Sequence, residues 1–171
     1  GSFTIPSLSP GDYRVHAQGA EESGLVSQFF SSTESWSDAT QVTVAAGTTT
    51  EDINFSLTAG GSISGKVVRD SDGTAVANAE VRANTFVCCG SGGGTQTDTN
   101  GEYTITGLAA GAYLVEADHF DDGLARQYYS STSDFNEATS VTVTAGTTTP
   151  NVDFSLIAGG AIAGRVTRDS D

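Results

Sequence analysis

Methionine is absent from this chain, and no stretch carries apolar residues at the 3.6-residue spacing of an amphipathic helix, which argues against a helical bundle. Basic residues are scarce as well. Seven Lys and Arg stand against 21 Asp and Glu, a formal charge of -14, so phosphate backbones and anionic lipid are repelled and nucleic acid is not an expected partner. No apolar run approaches the length of a membrane span, and membrane insertion is not expected. Cysteine is limited to the adjacent pair Cys88-Cys89. Neighbours close only a strained vicinal ring or bridge elsewhere, and we expect them oxidised in an extracellular loop. His16 and His119 have no evident partner in the sequence. With two cysteines they fall short of a zinc ligand set, and no nucleophile, base and orienting group recur together, so neither a cofactor nor catalysis is expected.

Glycine and threonine are abundant instead. The 21 glycines and the Thr-rich runs favour strands joined by tight turns. The chain also repeats itself. GSFTIPSLSPGDYRV, from Gly1, lies over GEYTITGLAAGAYLV, from Gly101, and SQFFSSTESWSDATQVTVAAGTTTEDINFSL lies over RQYYSSTSDFNEATSVTVTAGTTTPNVDFSL. A third correspondence joins FSLTAGGSISGKVVRDSD, from Phe55, to FSLIAGGAIAGRVTRDSD, from Phe154. The period, on the order of 100 residues, is the size of one β-sandwich domain. We expect residues 1–58 to form the back part of one repeat, 59–157 a complete repeat and 158–171 the first strand of another.

Within the complete repeat, period-2 alternation predicts seven strands and no helix. Ile63, Gly65 and Val67 share one face of the first strand, with Lys66 opposite; Ala79, Val81 and Ala83 face inward on the second, with Glu80 and Arg82 outward. The second strand then enters a glycine-rich stretch that reads as a loop. Tyr103 and Ile105 point inward on the third strand and Tyr113, Val115 and Ala117 on the fourth, while Leu108 plugs the end of the sandwich. Arg126–Tyr129 reads as a short edge strand, Val141 and Val143 mark the sixth, and Val152, Phe154 and Leu156 form the inward face of the seventh.

The segments GSISGKVVRDSDGTAVANAEVRA, TDTNGEYTITGLAAGAYLVEA and SVTVTAGTTTPNVDFSL, together spanning Gly61 to Leu156, resemble the carboxypeptidase regulatory-like domain, a transthyretin-like sandwich related to the Cna-B repeats of bacterial surface stalks. The resemblance implies an all-β fold of tandem seven-stranded immunoglobulin-like or transthyretin-like β-sandwich repeats. It also implies a spacer, stalk repeat or accessory module in place of a catalyst. Cna-B repeats often carry a Lys–Asn isopeptide bond. Lys66 and Asn54 are the residues of the right type, but alternation sets both outward and their repeat counterparts, Arg165 and Asp153, cannot form that bond. Lys66 therefore reads as a surface lysine.

Asn54-Phe-Ser56 is an N-glycosylation sequon, and Thr48, Thr49, Thr50, Thr147, Thr148 and Thr149 are candidates for O-linked sugars in a chain whose Ser and Thr outnumber its charged residues. Covalent glycans and an extracellular or cell-surface location are the corresponding expectations. Asp70, Asp72, Asp98, Asn100 and Glu102 are candidate oxygen ligands for Ca²⁺, but they lack the ordered spacing of a calcium loop, and turn chemistry is the better reading. Trp36 and Phe135 share one repeat position and are expected to cap the core or touch neighbouring domains, with sugar stacking as the alternative.

Nothing in residues 1–58 corresponds to Gly61–Asn100. Phe3, Ile5, Val15 and Phe55 are therefore expected to face an open groove, while Ile162, Gly164 and Val166 form an inward face with no domain of their own. Strand addition would join the two. The expected function is a non-catalytic structural subunit that assembles head-to-tail with other copies of itself, by strand complementation, into an extracellular filament or surface stalk. An excerpt of a longer covalent array, and a carbohydrate-binding accessory module of a secreted enzyme, are the alternatives.

Overall fold

The computed structural model describes residues 1–20, 23–85 and 92–168. Its strands, in chain order, are β1 Gly11–Tyr13, β2 His16–Ala17, β3 Gln28–Phe29, β4 Val42–Val44, β5 Gly61–Arg69, β6 Glu80–Thr85, β7 Gly93–Gln96, β8 Glu102–Leu108, β9 Gly111–His119, β10 Leu124–Tyr128, β11 Val141–Val143, β12 Thr148–Thr149 and β13 Phe154–Leu156. Cys88 and Cys89 lie outside the described residues.

Strands β5 to β13 form two sheets around one core. In the first, β10 and β11 both pair with β9, which continues to β6 and β7. The second is centred on β5. It pairs antiparallel with β8, and parallel with β12 and then β13, so the opening and closing strands of the repeat lie side by side. Alternation places the core as expected. Every side-chain-bearing residue assigned inward is buried, from Ile63 and Val67 on β5 to Val152, Phe154 and Leu156 at the end, and they form a single cluster. Two large residues join them from outside that assignment, Val76 and Leu124.

The strand count differs from the sequence expectation of seven. Gly93–Gln96, the end of the glycine-rich stretch read as a loop, pairs with β6 as β7, and Thr148–Thr149 adds the short β12. Neither has an alternating apolar pattern of its own. Two single 3-10 turns also occur, at Phe120–Asp122 and Phe135–Glu137, where no helical segment was expected.

Strand β9 is buried on both faces from Tyr113 to Asp118. Its outward carboxylates are shielded by guanidinium groups: Arg82 lies 3.0 Å from Asp118 and 4.0 Å from Glu116, and Arg126 lies 3.7 Å from each. Arg82 also pairs with Glu80. Burial works against the Arg82 charge, but Glu80 and Asp118 outweigh it and hold the group protonated. Glu116 and Asp118 are thus buried beside guanidinium partners, not left without one.

Candidate assembly surfaces

Residues 1–58 keep the local geometry of the complete repeat without counterparts of β5, β6 and β7. β1 pairs with β4 in the register Tyr13↔Val42, matching Tyr113↔Val141 between β9 and β11. The Phe30 N–H donates to Val15 O at 2.8 Å, as Tyr129 N–H does to Val115 O at 2.8 Å. The Tyr13 hydroxyl donates to Ser9 O at 2.7 Å, and its counterpart Tyr113 to Ala109 O at 3.0 Å. Ring pairs repeat too, Phe3 with Phe55 at 6.1 Å and Tyr103 with Phe154 at 6.4 Å.

What differs is the cover over these residues. Phe3 is 56% exposed and Ile5 55%, whereas Tyr103 and Ile105 at the same repeat positions are 5% and 2% exposed. Val15 and Phe55 are half-buried, against fully buried Val115 and Phe154. Leu8 belongs to this open face as well. It is 39% exposed while Leu108 is sealed, and the plugging role assigned to Leu108 was the sequence signal that marks it. Residues 1–10 and 51–58 form no strand of their own; in the complete repeat the equivalent segments are held by β5.

The segment equivalent to β5 is exposed where β5 itself is buried. Ile162 and Val166 are fully exposed, whereas Ile63 and Val67 have no exposure at all. Glycines stand where a partner backbone must come close. A Cβ on Gly65 would sit inside contact distance of Val152 O and 3.1 Å from the Tyr103 ring, and one on Gly61 would strike Thr144 O. Gly164 and Gly160 keep those two positions open. The path of this segment out of its own repeat is fixed by two bonds, Ala125 N–H to Ile157 O at 2.9 Å and Gly159 N–H to Gly123 O at 2.8 Å. They duplicate Val26 N–H to Thr58 O at 2.9 Å and Gly60 N–H to Gly24 O at 2.7 Å at the junction inside the chain.

The polar candidates are dispersed. Asp98 Oδ1 accepts the N–H groups of Glu102 and Asn100, both at 2.8 Å, which hold its carboxyl below the usual range. Asp72 accepts the hydroxyl and then the N–H of Thr74, with the same effect, and Asp70 accepts the Ser155 hydroxyl. Asp72 and Asp98 thus serve turns, Asp70 bonds across to β13, and among the described residues no three His, Cys, Asp or Glu side chains gather as a metal site. Lys66 and Asn54 are both exposed; the Lys66 N–H donates to Asp153 at 2.8 Å. An open groove runs past Lys66, Glu102, Tyr103 and Asp153. Its phenol is spent on Val152 O at 2.6 Å, and burial pushes the Tyr103 pKa far up, so it offers no base.

Four of the six threonine candidates use their hydroxyls on nearby carbonyls: Thr48 on Ala45, Thr50 on Thr43, Thr147 on Thr144 and Thr149 on Thr142. Thr148 shares a hydrogen bond with Ser62, and Thr49 is exposed. The two aromatics at the shared repeat position do not cap the core. Trp36 and Phe135 are 53% and 50% exposed, packing by their edges on Phe29 and Tyr128 outside the core. Arg14 covers the Trp36 ring at 4.9 Å. The histidines also find neighbours that the sequence did not reveal. His119 Nδ1 accepts the Asp122 N–H at 3.3 Å, and the His16 ring packs on Phe29 at a tilt of 49°, centroids 4.7 Å apart.

Comparison with known families gives one match. The family model described as the carboxypeptidase regulatory-like domain covers residues 62–157, from β5 to just past β13. No curated protein matches the chain.

Proposed function

We propose, from the premise that this chain belongs to the carboxypeptidase regulatory-like domain family, that it is a non-catalytic structural subunit built to join further copies of its own repeat. The family is a β-sandwich module, often of structural or interaction type. One observation carries the reading: the same repeat positions are sealed in the complete sandwich and open in both partial copies, at Phe3 and Ile5 on one side and Ile162 and Val166 on the other. Residues 160–168 of one copy add as a strand to the 1–58 face of the next. Burying an Ile or Val contributes roughly 1.5 to 3 kcal/mol, and the added strand satisfies backbone groups along its length. The contact is head-to-tail, so it propagates into a filament or closes into a ring.

Cell-surface or extracellular placement, with sugars on exposed hydroxyls such as Thr49 and on Asn54, fits the acidic, Ser- and Thr-rich surface. The test is sedimentation and electron microscopy of the chain against Ile162→Asp/Val166→Asp. Concentration-dependent assembly is expected for the wild type and monomer for the variant, with unchanged circular dichroism. A wild type that stays monomeric up to its solubility limit, or a variant that assembles equally well, overturns the proposal.

A further inference from the structure

The loop that follows β3 and the loop that follows β10 have the same build. Ser31 and Ser32 have φ 79° and 61°, and Ser130 and Ser131 have φ 78° and 61°, a left-handed pair that closes a two-residue turn. The Phe29 N–H donates to Thr33 O and the Tyr128 N–H to Thr132 O, both at 2.7 Å. The Thr33 and Thr132 hydroxyls then accept the N–H groups of Ser35 and Asp134, both at 3.1 Å. Each loop thereby holds one aromatic ring edge-on to a strand residue, Trp36 at 5.7 Å and 80° from Phe29, Phe135 at 6.0 Å and 81° from Tyr128.

Both rings are exposed, at 53% and 50%, and in two different surroundings. Phe135 belongs to a repeat that is complete from β5 to β13. Trp36 belongs to one with the following repeat seated beside it. There the Gly60 N–H donates to Gly24 O at 2.7 Å, and Glu34 stands close enough to Tyr113 for its charge to add to the burial that raises the phenol's pKa. Completing a repeat therefore leaves the ring exposed, and so does seating the next one. The rings mark the side of the repeat, not an end.

We propose that Trp36 and Phe135 are lateral platforms for the neutral sugar rings of a polysaccharide chain. Charge selects the class of partner. The protein carries -14, and Glu34, Asp38, Asp134 and Glu137 stand on the two loops, so anionic polymers are repelled and a second copy would set like charges against like. A basic peptide would meet the Arg14 guanidinium, which lies over the Trp36 ring at 4.9 Å. A neutral pyranose meets neither obstacle. Its C–H face covers the exposed ring as apolar area on a flat aromatic, while its hydroxyls donate to the flanking carboxylates and its oxygens accept from Arg14. Asp134 Oδ1 accepts the Asn136 N–H at 2.8 Å, which holds that carboxylate beside Phe135, and a carboxylate offers about four lone-pair positions. An apolar surface bordered by a few placed polar groups is the general build of a small-ligand site. This goes beyond head-to-tail joining and does not depend on it.

Trp36 is the sole tryptophan of the chain, so its emission reports the first platform directly. Titration of the full chain with neutral hexasaccharides of glucose, mannose and N-acetylglucosamine is expected to give a saturable change with at least one of them, half-complete near about 1 mM because one ring covers little area. Saturation-transfer NMR of that sugar reads both platforms. Trp36→Ala/Phe135→Ala is expected to weaken binding by about tenfold, with unchanged circular dichroism because both rings lie outside the core. Trp36→Tyr/Phe135→Tyr is expected to retain it. Absence of a saturable change with every sugar up to about 20 mM overturns the proposal whatever the variants do. So does sugar binding that survives the double alanine variant, or a change elicited by a lysine-rich decapeptide and not by the sugars. None of these results bears on strand addition, which uses other residues.

Discussion

At Tyr103 a single hydroxyl links the two edges of β5. It donates to Val152 O at 2.6 Å from an almost completely buried ring. Removing it in Tyr103→Phe leaves that carbonyl without this donor, at a cost of about 1 to 2 kcal/mol. The pH dependence has a definite sign. Burial raises the folded pKa of the phenol above its unfolded value, so its contribution is complete below the unfolded pKa of about 10 and declines as pH rises through the folded value. Urea unfolding should therefore show the variant less stable at neutral pH, with the gap to wild type narrowing toward about pH 11. The ring was legible as an inward residue from alternation. Its hydrogen-bond partner was not, because Val152 approaches β5 from the opposite side, a placement no local pattern records.

Among the elements, β5 is the centre of its sheet, with β8 on one edge and the parallel strands β12 and β13 on the other. Its glycines explain how β8 and the 150–153 segment both close upon it, and they separate folding from assembly. Gly65→Ala drives a Cβ into Val152 O, a backbone atom that cannot swing aside, and should destabilise the complete sandwich by at least about 1 to 3 kcal/mol. Gly164→Ala has open space around it in the isolated chain. It should leave the urea midpoint unchanged while impairing assembly; a fall in the midpoint like that of Gly65→Ala would show that the 158–168 segment is already packed. Alternation identified β5, β6, β8, β9, β11 and β13 because their inward faces are apolar at every second position. Strand β7 escaped it because Gly93–Gln96 has no apolar side chain, and its pairing is imposed by the exposed edge of β6. The acids of β9 escaped it for another reason: Glu116 and Asp118 are buried by arginines reaching in from β6 and β10.

For the whole molecule, charge opposes the association that the apolar surfaces favour. Copies carrying a formal charge of -14 repel one another, and this repulsion is screened within about 10 Å at 0.1 M salt and about 3 Å at 1 M. Assembly should strengthen as sodium chloride rises across that range, visible as a growing pelleted fraction; weakening with salt would mean that ion pairs hold the copies together. The amino-acid sequence by itself determined the repeat, the face each strand turns inward, and the turns that glycine and aspartate impose, since all of these follow from residue spacing and local backbone chemistry. Tertiary structure alone decided that β12 and β13 lie parallel to β5, that guanidinium groups cover the outer acids of β9, and that Gly107 comes close to Leu25 O. Those contacts join segments far apart along the chain, and their register depends on how complete surfaces fit together, which no period of two residues encodes.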